Sequence, residues 1–344
     1  MKKHLNTVVR KSSKENKSNN KLTLTQNERN LPLPSSFFKE FKDSIVEQDI
    51  TFYPNLTKLT NKLAKYLNIK PSNIMFTPGS DVGIKLLFEA FDVRGNNVVT
   101  TDYHFPMYSV YANLTQCYLK LVEYKSNRMS INDIISAIDD DTKFVLLANP
   151  NSPIGDYMKV TDIIKLLKTG IPVIIDEAYI ELTDKESVVT LIEDFKNLIV
   201  LRTFSKGFGA AGLRVGYIVS DIANMKIINK LRFMYEISGI SAKYCEFVLD
   251  NIKNYESYLR STMKGKKDMF KSLSKPSSNV ITTGTDSSWF FIRGKKNNDN
   301  LHNIFEEQRV SIRTTVLPDG IEWFKLNYDL AIESTNLKTL LINA

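Results

Sequence analysis

Along most of the chain, stretches with apolar residues three or four apart alternate with short apolar runs, the pattern of helices interleaved with buried strands. Between residues 55 and 67, Leu56, Leu59, Leu63 and Leu67 fall on one helical face. Strand-like runs follow at 73–77, 97–100, 142–148, 173–176, 198–202 and 214–219, with helical patterns between several of them, as at 84–91 and 160–167. This alternation predicts an α/β domain around a mainly parallel sheet with right-handed crossovers. Such sheets bind ligands beyond the carboxyl ends of their strands, so the residues just after each run are the first candidates for chemistry. From about Ile222 the pattern changes to long helices, through 251–273. Extended runs follow at 279–283, 288–293, 310–313 and 323–327, with a helical stretch at 301–308. That mixture predicts a smaller α+β domain at the C-terminus.

Composition adds exclusions. The 344 residues suggest about two domains, and 42% hydrophobic with 24% charged residues is ordinary globular usage. No apolar run reaches the ~18 residues of a membrane span. Two cysteines, Cys117 and Cys245, exclude a disulfide scaffold and point to a reducing compartment. No secretory-signal pattern opens the chain, so the expected location is cytoplasmic. His4, His104 and His302 are scattered, and no metal is expected.

The net charge of +8 invites a nucleic-acid reading, but Lys2, Lys3, Arg10, Lys11, Lys14, Lys17 and Lys21 stand against Glu15 alone in the first 25 residues. Most of the excess therefore belongs to a polar N-terminal segment, expected as a flexible tail over 1–25, and nucleic acid is not expected as a partner.

Gly207-Phe-Gly209-Ala-Ala-Gly212 matches the G-x-G-x-x-G dinucleotide fingerprint. The fingerprint must open a helix, whereas residues 213–219 read as another apolar extended run. A glycine-rich loop packed near a different ligand fits better. Three neighbouring segments supply that chemistry. Asp176 closes one strand, with Tyr179 three residues on. Thr203, Ser205 and Lys206 follow the next strand, and Arg214 precedes the run after it. An amine for a Schiff base, an acid for a pyridinium nitrogen, a phenol for a phenolate oxygen, and hydroxyls with a guanidinium for a phosphate are the requirements of pyridoxal phosphate. Each residue alone means little; the ordered set at successive strand ends carries the reading.

With these residues in place, the sequence resembles the fold-type I pyridoxal-phosphate aminotransferases, closest to the histidinol-phosphate aminotransferase group, from about Leu22 to the C-terminus. The resemblance implies a large domain with a mainly parallel seven-stranded sheet and a smaller α+β C-terminal domain. It divides the chain into a tail (1–25), an N-terminal arm (26–44), a large cofactor domain (45–232) and a small domain (233–344). Lys206 is the implied covalent lysine, Asp176 the partner of the pyridine nitrogen and Tyr179 the phenolic donor to O3′. Thr203, Ser205 and Arg214 match phosphate ligands, as does the turn Gly79-Ser80-Asp81 before a helix. Phe105 matches the aromatic that stacks on the pyridine ring. Tyr53 matches a tyrosine that reaches the phosphate of a neighbouring subunit, implying a homodimer with a shared active site.

Two positions depart from the family pattern. Asn149-Pro-Asn151-Ser152-Pro places Ser152 where an asparagine near O3′ is usual, with Asn151 beside it. Lys325 stands where an arginine usually grips the substrate carboxylate, and a lysine offers a point charge in place of a planar fork. Asn27, Arg29 and Arg313 join Lys325 as candidate substrate ligands. The implied activity is transfer of an amino group from an amino-acid donor, glutamate, to a small phosphorylated oxo substrate. The alternative is decarboxylation of a phosphorylated serine- or threonine-type amino acid.

Overall fold

The computed structural model describes residues 3–9 and 22–344. Its strands are β1 (Leu22–Thr23), β2 (Ile74–Thr77), β3 (Asn97–Thr101), β4 (Tyr118–Val122), β5 (Thr142–Ala148), β6 (Val173–Asp176), β7 (Leu198–Thr203), β8 (Gly216–Ser220), β9 (Val280–Thr283), β10 (Trp289–Gly294), β11 (Val310–Ser311), β12 (Arg313–Val316) and β13 (Glu322–Asn327). A seven-stranded sheet has the order β2-β8-β7-β6-β5-β3-β4. Its pairs are parallel except the two that β8 makes, with β7 and β2.

The central strands are apolar on both faces because helices cover both. Phe144, Val145, Leu146 and Leu147 are all buried, as are Val173, Ile174 and Ile175. The two faces feed separate cores. Leu59 and Leu63, on the helix Thr57–Leu67, belong to one; Ile84, Leu87 and Phe88, on the helix Ser80–Ala90, belong to the other. That first helix stops at Asn68, which takes the left-handed conformation at φ 56°. Register aligns the strand ends: Ala148 pairs with Asp176, Asp176 with Leu201, and Thr203 with Gly216. Residues that end β5, β6 and β7 therefore open onto one edge.

Towards the C-terminus, the 22-residue helix Ile252–Leu273 leads into an antiparallel four-stranded sheet of order β12-β13-β10-β9. A separate apolar cluster joins this region to the cavity side of the large sheet, built from Tyr124, Ile154, Trp289, Phe291, Leu317 and Trp323 with Tyr179 packed against it.

Two expectations change. The expected tail to residue 25 is too long: Leu22 pairs with Val310 across a parallel β1–β11 bridge, and Leu22 and Leu24 are buried. Their alternating apolar side chains complete the C-terminal core. Lys3–Thr7 form a 3-10 turn, with His4 Nε2 3.2 Å from the Leu114 carbonyl oxygen. The basic segment 10–21 lies outside the described residues. Strand β4 had no separate signal in the sequence, because it lies at the sheet edge and exposes Tyr118 and Leu121.

Candidate active site

Asp176 ends β6 with its carboxylate buried. The Tyr108 hydroxyl donates to Oδ2 at 2.9 Å, and the backbone N–H of Ala178 donates to Oδ1 at 3.1 Å. Burial pushes the Asp176 pKa up to about 6, while the Tyr108 and Ala178 hydrogen bonds pull it down. Tyr108 is fully buried in the first turn of the helix Met107–Thr115. Its ring lies against Phe105 edge-on, with centroids 5.9 Å apart, and stacks near His104.

Tyr179 turns back over the same space. Its hydroxyl accepts from Asn27 Nδ2 at 2.9 Å, and its ring meets Trp289 edge-on at 5.0 Å. The β7 end supplies Thr203, whose hydroxyl donates to the Val215 carbonyl at 3.0 Å and accepts from the Ser205 N–H at 3.1 Å. Lys206 follows. Its Nζ donates to the Gln26 carbonyl at 2.6 Å and lies 5.8 Å from the Tyr179 ring centroid.

The anion-binding end is built from a helix start and a guanidinium. Gly79, at φ 81°, lets the chain turn into the helix Ser80–Ala90, whose first residues Ser80 and Asp81 line the cavity. Arg214 adopts the left-handed conformation at φ 53°, and its Nη2 is 3.1 Å from Asp81 Oδ1. Its Nη1 approaches Ser205 Oγ at 3.4 Å. A Cβ on Gly79 would run into the Arg214 guanidinium, and one on Gly216 into the Ser80 nitrogen. The two glycines thus let β8, the turn and Arg214 close around one spot.

A cavity of about 350 Å³ joins these parts. Asp176, Tyr179, Lys206 and Phe105 line it together with Ser80, Asp81, Thr203, Ser205, Arg214 and Ser152. The donors fit pyridoxal phosphate: a lysine amine, a buried carboxylate held by two hydrogen bonds, a phenol, and a cluster of hydroxyls, helix N–H groups and an arginine.

Other expected ligands sit elsewhere. Asn151 is buried and holds its own loop, donating to the Tyr103 carbonyl at 2.8 Å and accepting from the Ile154 N–H at 3.1 Å. Arg29 does not line the cavity: its guanidinium donates to the Leu31 and Pro32 carbonyls and lies 3.8 Å over the Tyr258 ring. Tyr53 is exposed and stacks on Tyr235 at 3.9 Å. Asn27 and Lys325 are buried behind the lining, Lys325 Nζ lying 3.4 Å from Asn27 Oδ1 and 3.8 Å from the Trp289 ring centroid. Burial pushes the Lys325 pKa down to about 7, helped by the nearby charges of Lys206 and Arg313. Arg313 is exposed on β12, across from Lys325 in the register.

Sequence reasoning gave no role to Tyr108, Trp289, Gln26 or Gly216. Tyr108 had a signal, lying three positions beyond Phe105 in the segment after β3; Gln26 and Trp289 reach the site only through the tertiary fold. Among the described residues no group of three or more His, Cys, Asp or Glu is arranged to hold a metal, and no helix is long and apolar enough to cross a membrane.

The sequence model of the family described as aminotransferase class I and II matches residues 19–341. A histidinol-phosphate aminotransferase of Thermoanaerobacter sp. strain X514 is 33% identical over 304 residues, spanning 86% of this chain and 85% of that protein. Among solved structures, the histidinol-phosphate aminotransferase of Sinorhizobium meliloti in complex with pyridoxal-5'-phosphate superposes with a TM-score of 0.81. It is 19% identical and covers 94% of this chain and 90% of that one. The L-threonine-O-3-phosphate decarboxylase of Porphyromonas gingivalis has a TM-score of 0.76 at 20% identity, covering 94% of this chain and 97% of that one.

Proposed function

Since the chain belongs to the class I and II aminotransferases and pyridoxal phosphate is its cofactor, we propose that it moves an amino group from an amino-acid donor, glutamate, to a small phosphorylated oxo substrate. The observation that carries this reading is the placement of Lys206, Asp176, Tyr179 and Arg214 around one cavity. Bound there, the cofactor supplies an electron sink for the pair released at the substrate Cα.

The chain's residues divide the remaining work. Lys206 would hold the cofactor's aldehyde, and its Nζ would move the substrate Cα proton as a general base and acid. Asp176 holds the pyridine nitrogen protonated, and Tyr108 and the Ala178 N–H keep that carboxylate aimed. Tyr179 donates to the phenolic oxygen. Phe105 covers a ring face, while Ser80, Thr203, Ser205 and Arg214 hold the phosphate. The exposed apolar side chains of Ile50, Phe52, Tyr53, Phe233 and Met234 support association with a second copy that completes the site.

Decarboxylation of a phosphorylated amino acid is the second reading, favoured by one observation: the cation at 325 is a lysine buried behind the cavity lining, with no fork to clamp a carboxylate. Incubating holoenzyme with glutamate alone separates the two. Conversion of bound cofactor to its amine form, followed by return on addition of phosphorylated oxo acids, supports amino transfer. CO2 release from a phospho-amino acid without any oxo acceptor overturns it.

A further inference from the structure

A line of polar contacts runs from the C-terminal sheet into the cavity wall: Lys325 Nζ to Asn27 Oδ1 at 3.4 Å, then Asn27 Nδ2 to Tyr179 Oη at 2.9 Å. Its members come from three distant parts of the chain, and Asn27 and Lys325 are buried. Their donor and acceptor chemistry gives the line a direction. As an ammonium, the form it takes below its lowered pKa of about 7, Lys325 has only donors, and there it fixes the Asn27 amide with its oxygen towards Lys325 and its nitrogen towards Tyr179. Tyr179 Oη then accepts from Asn27, and its one proton must go elsewhere. The ring cannot swing away, because it is wedged against Trp289, itself fixed by Nε1 donating to the Pro153 carbonyl at 2.9 Å. The remaining direction for the proton is the cavity that Tyr179 lines.

We propose that Asn27 is a positioning residue that sets the direction of the Tyr179 hydroxyl proton, aiming it at the cofactor's phenolic oxygen, with Lys325 fixing the orientation of the Asn27 amide. This rests on the cofactor reading above. It assigns Asn27 and Lys325 to Tyr179 in place of direct contact with substrate. Asn27 lies at φ 53°, in the left-handed region that asparagine and aspartate tolerate better than other side chains. Asn27→Asp therefore keeps backbone and size while offering Tyr179 only an acceptor, which turns the phenol's proton away from the cavity.

The experiment measures pyridoxal phosphate affinity and the position of the bound cofactor's visible absorption band in Asn27→Asp, Asn27→Ala and Lys325→Met proteins, each with Tyr179 and in a Tyr179→Phe background. With Tyr179 present, Asn27→Asp should weaken cofactor binding about tenfold, the loss of one hydrogen bond to a charged oxygen, and shift the band. Asn27→Ala should do less, because it leaves the phenol free to donate inward. Lys325→Met should act in the same direction as Asn27→Asp. In the Tyr179→Phe background all three effects should disappear. A neutral Asn27→Asp, or a penalty that persists without the Tyr179 hydroxyl and so belongs to the new charge itself, overturns the proposal. Unaltered protein that binds no pyridoxal phosphate sinks the cofactor reading and this inference together, whereas normal binding with an indifferent Asn27→Asp sinks the inference alone.

Discussion

The Tyr108 hydroxyl donates to Asp176 Oδ2 at 2.9 Å, joining the helix after β3 to the end of β6 through two buried side chains. A carboxylate there costs desolvation energy, and this hydrogen bond is the chief contact that favours its ionised form. The strength of the acid facing the pyridine nitrogen is thus set partly by a residue that never touches the nitrogen.

Tyr108→Phe removes that bond while keeping the ring that packs on Phe105 and His104. The Asp176 pKa should rise further, and pyridoxal phosphate should bind roughly ten- to a hundredfold more weakly, as expected for one lost hydrogen bond to a charged group. Titration of apoprotein followed by absorbance checks this; unchanged affinity would remove Tyr108 from the account.

The pKa of Asp176 also predicts a pH-dependent stability for the apoprotein. Its folded value of about 6 exceeds the ordinary 3.8, so the folded chain holds the proton more tightly than the unfolded one. The stabilising contribution is present below the ordinary value and is lost as pH rises through about 6. Asp176→Asn apoprotein should lack this decline. Its stability relative to the unaltered chain should grow across that window by about 3 kcal/mol, read by urea unfolding at each pH. A constant difference would contradict the assignment.

Behind the catalytic face, Arg202 Nη2 lies 2.8 Å from Glu181 Oε1 and its Nε 3.7 Å from Glu177 Oε2, all three residues being buried. Adjacent strand residues point to opposite sides, so Thr203 faces the cavity while Arg202 faces this cluster. Arg202→Met leaves two buried carboxylates without a countercharge and should cost about 3–5 kcal/mol in unfolding free energy. A loss below about 1 kcal/mol would show that water reaches the cluster.

Gly216→Ala tests the anion-binding end. Its Cβ would meet the Ser80 nitrogen, which is backbone and cannot swing aside. The turn must move away from Arg214, and cofactor affinity should fall by at least tenfold. Full affinity in this variant would mean that the phosphate is held elsewhere.

Much of this arrangement was legible in the sequence because it is local. The apolar runs that became β5, β6 and β7 needed only continuous hydrophobicity, and Asp176 and Thr203 end β6 and β7, with Lys206 three residues on. The contacts that refine the site are not local. Asn27 meets Tyr179 across 152 positions and Lys325 across 298, distances at which spacing carries no information. Arg29 shows the opposite error: a cation beside a candidate ligand drew a substrate role, while the fold commits it to the Tyr258 ring and two carbonyls. Leu22 and Leu24 were absorbed into a tail because their strand partner, Val310, lies almost the whole chain away.

The central claim is that Lys206 holds the cofactor in this cavity. Borohydride reduction of the holoenzyme, digestion and mass spectrometry test it most directly. The account predicts a phosphopyridoxyl group on the peptide containing Lys206, abolished in Lys206→Ala; the adduct on another lysine, or none on a protein that binds the cofactor, would contradict it.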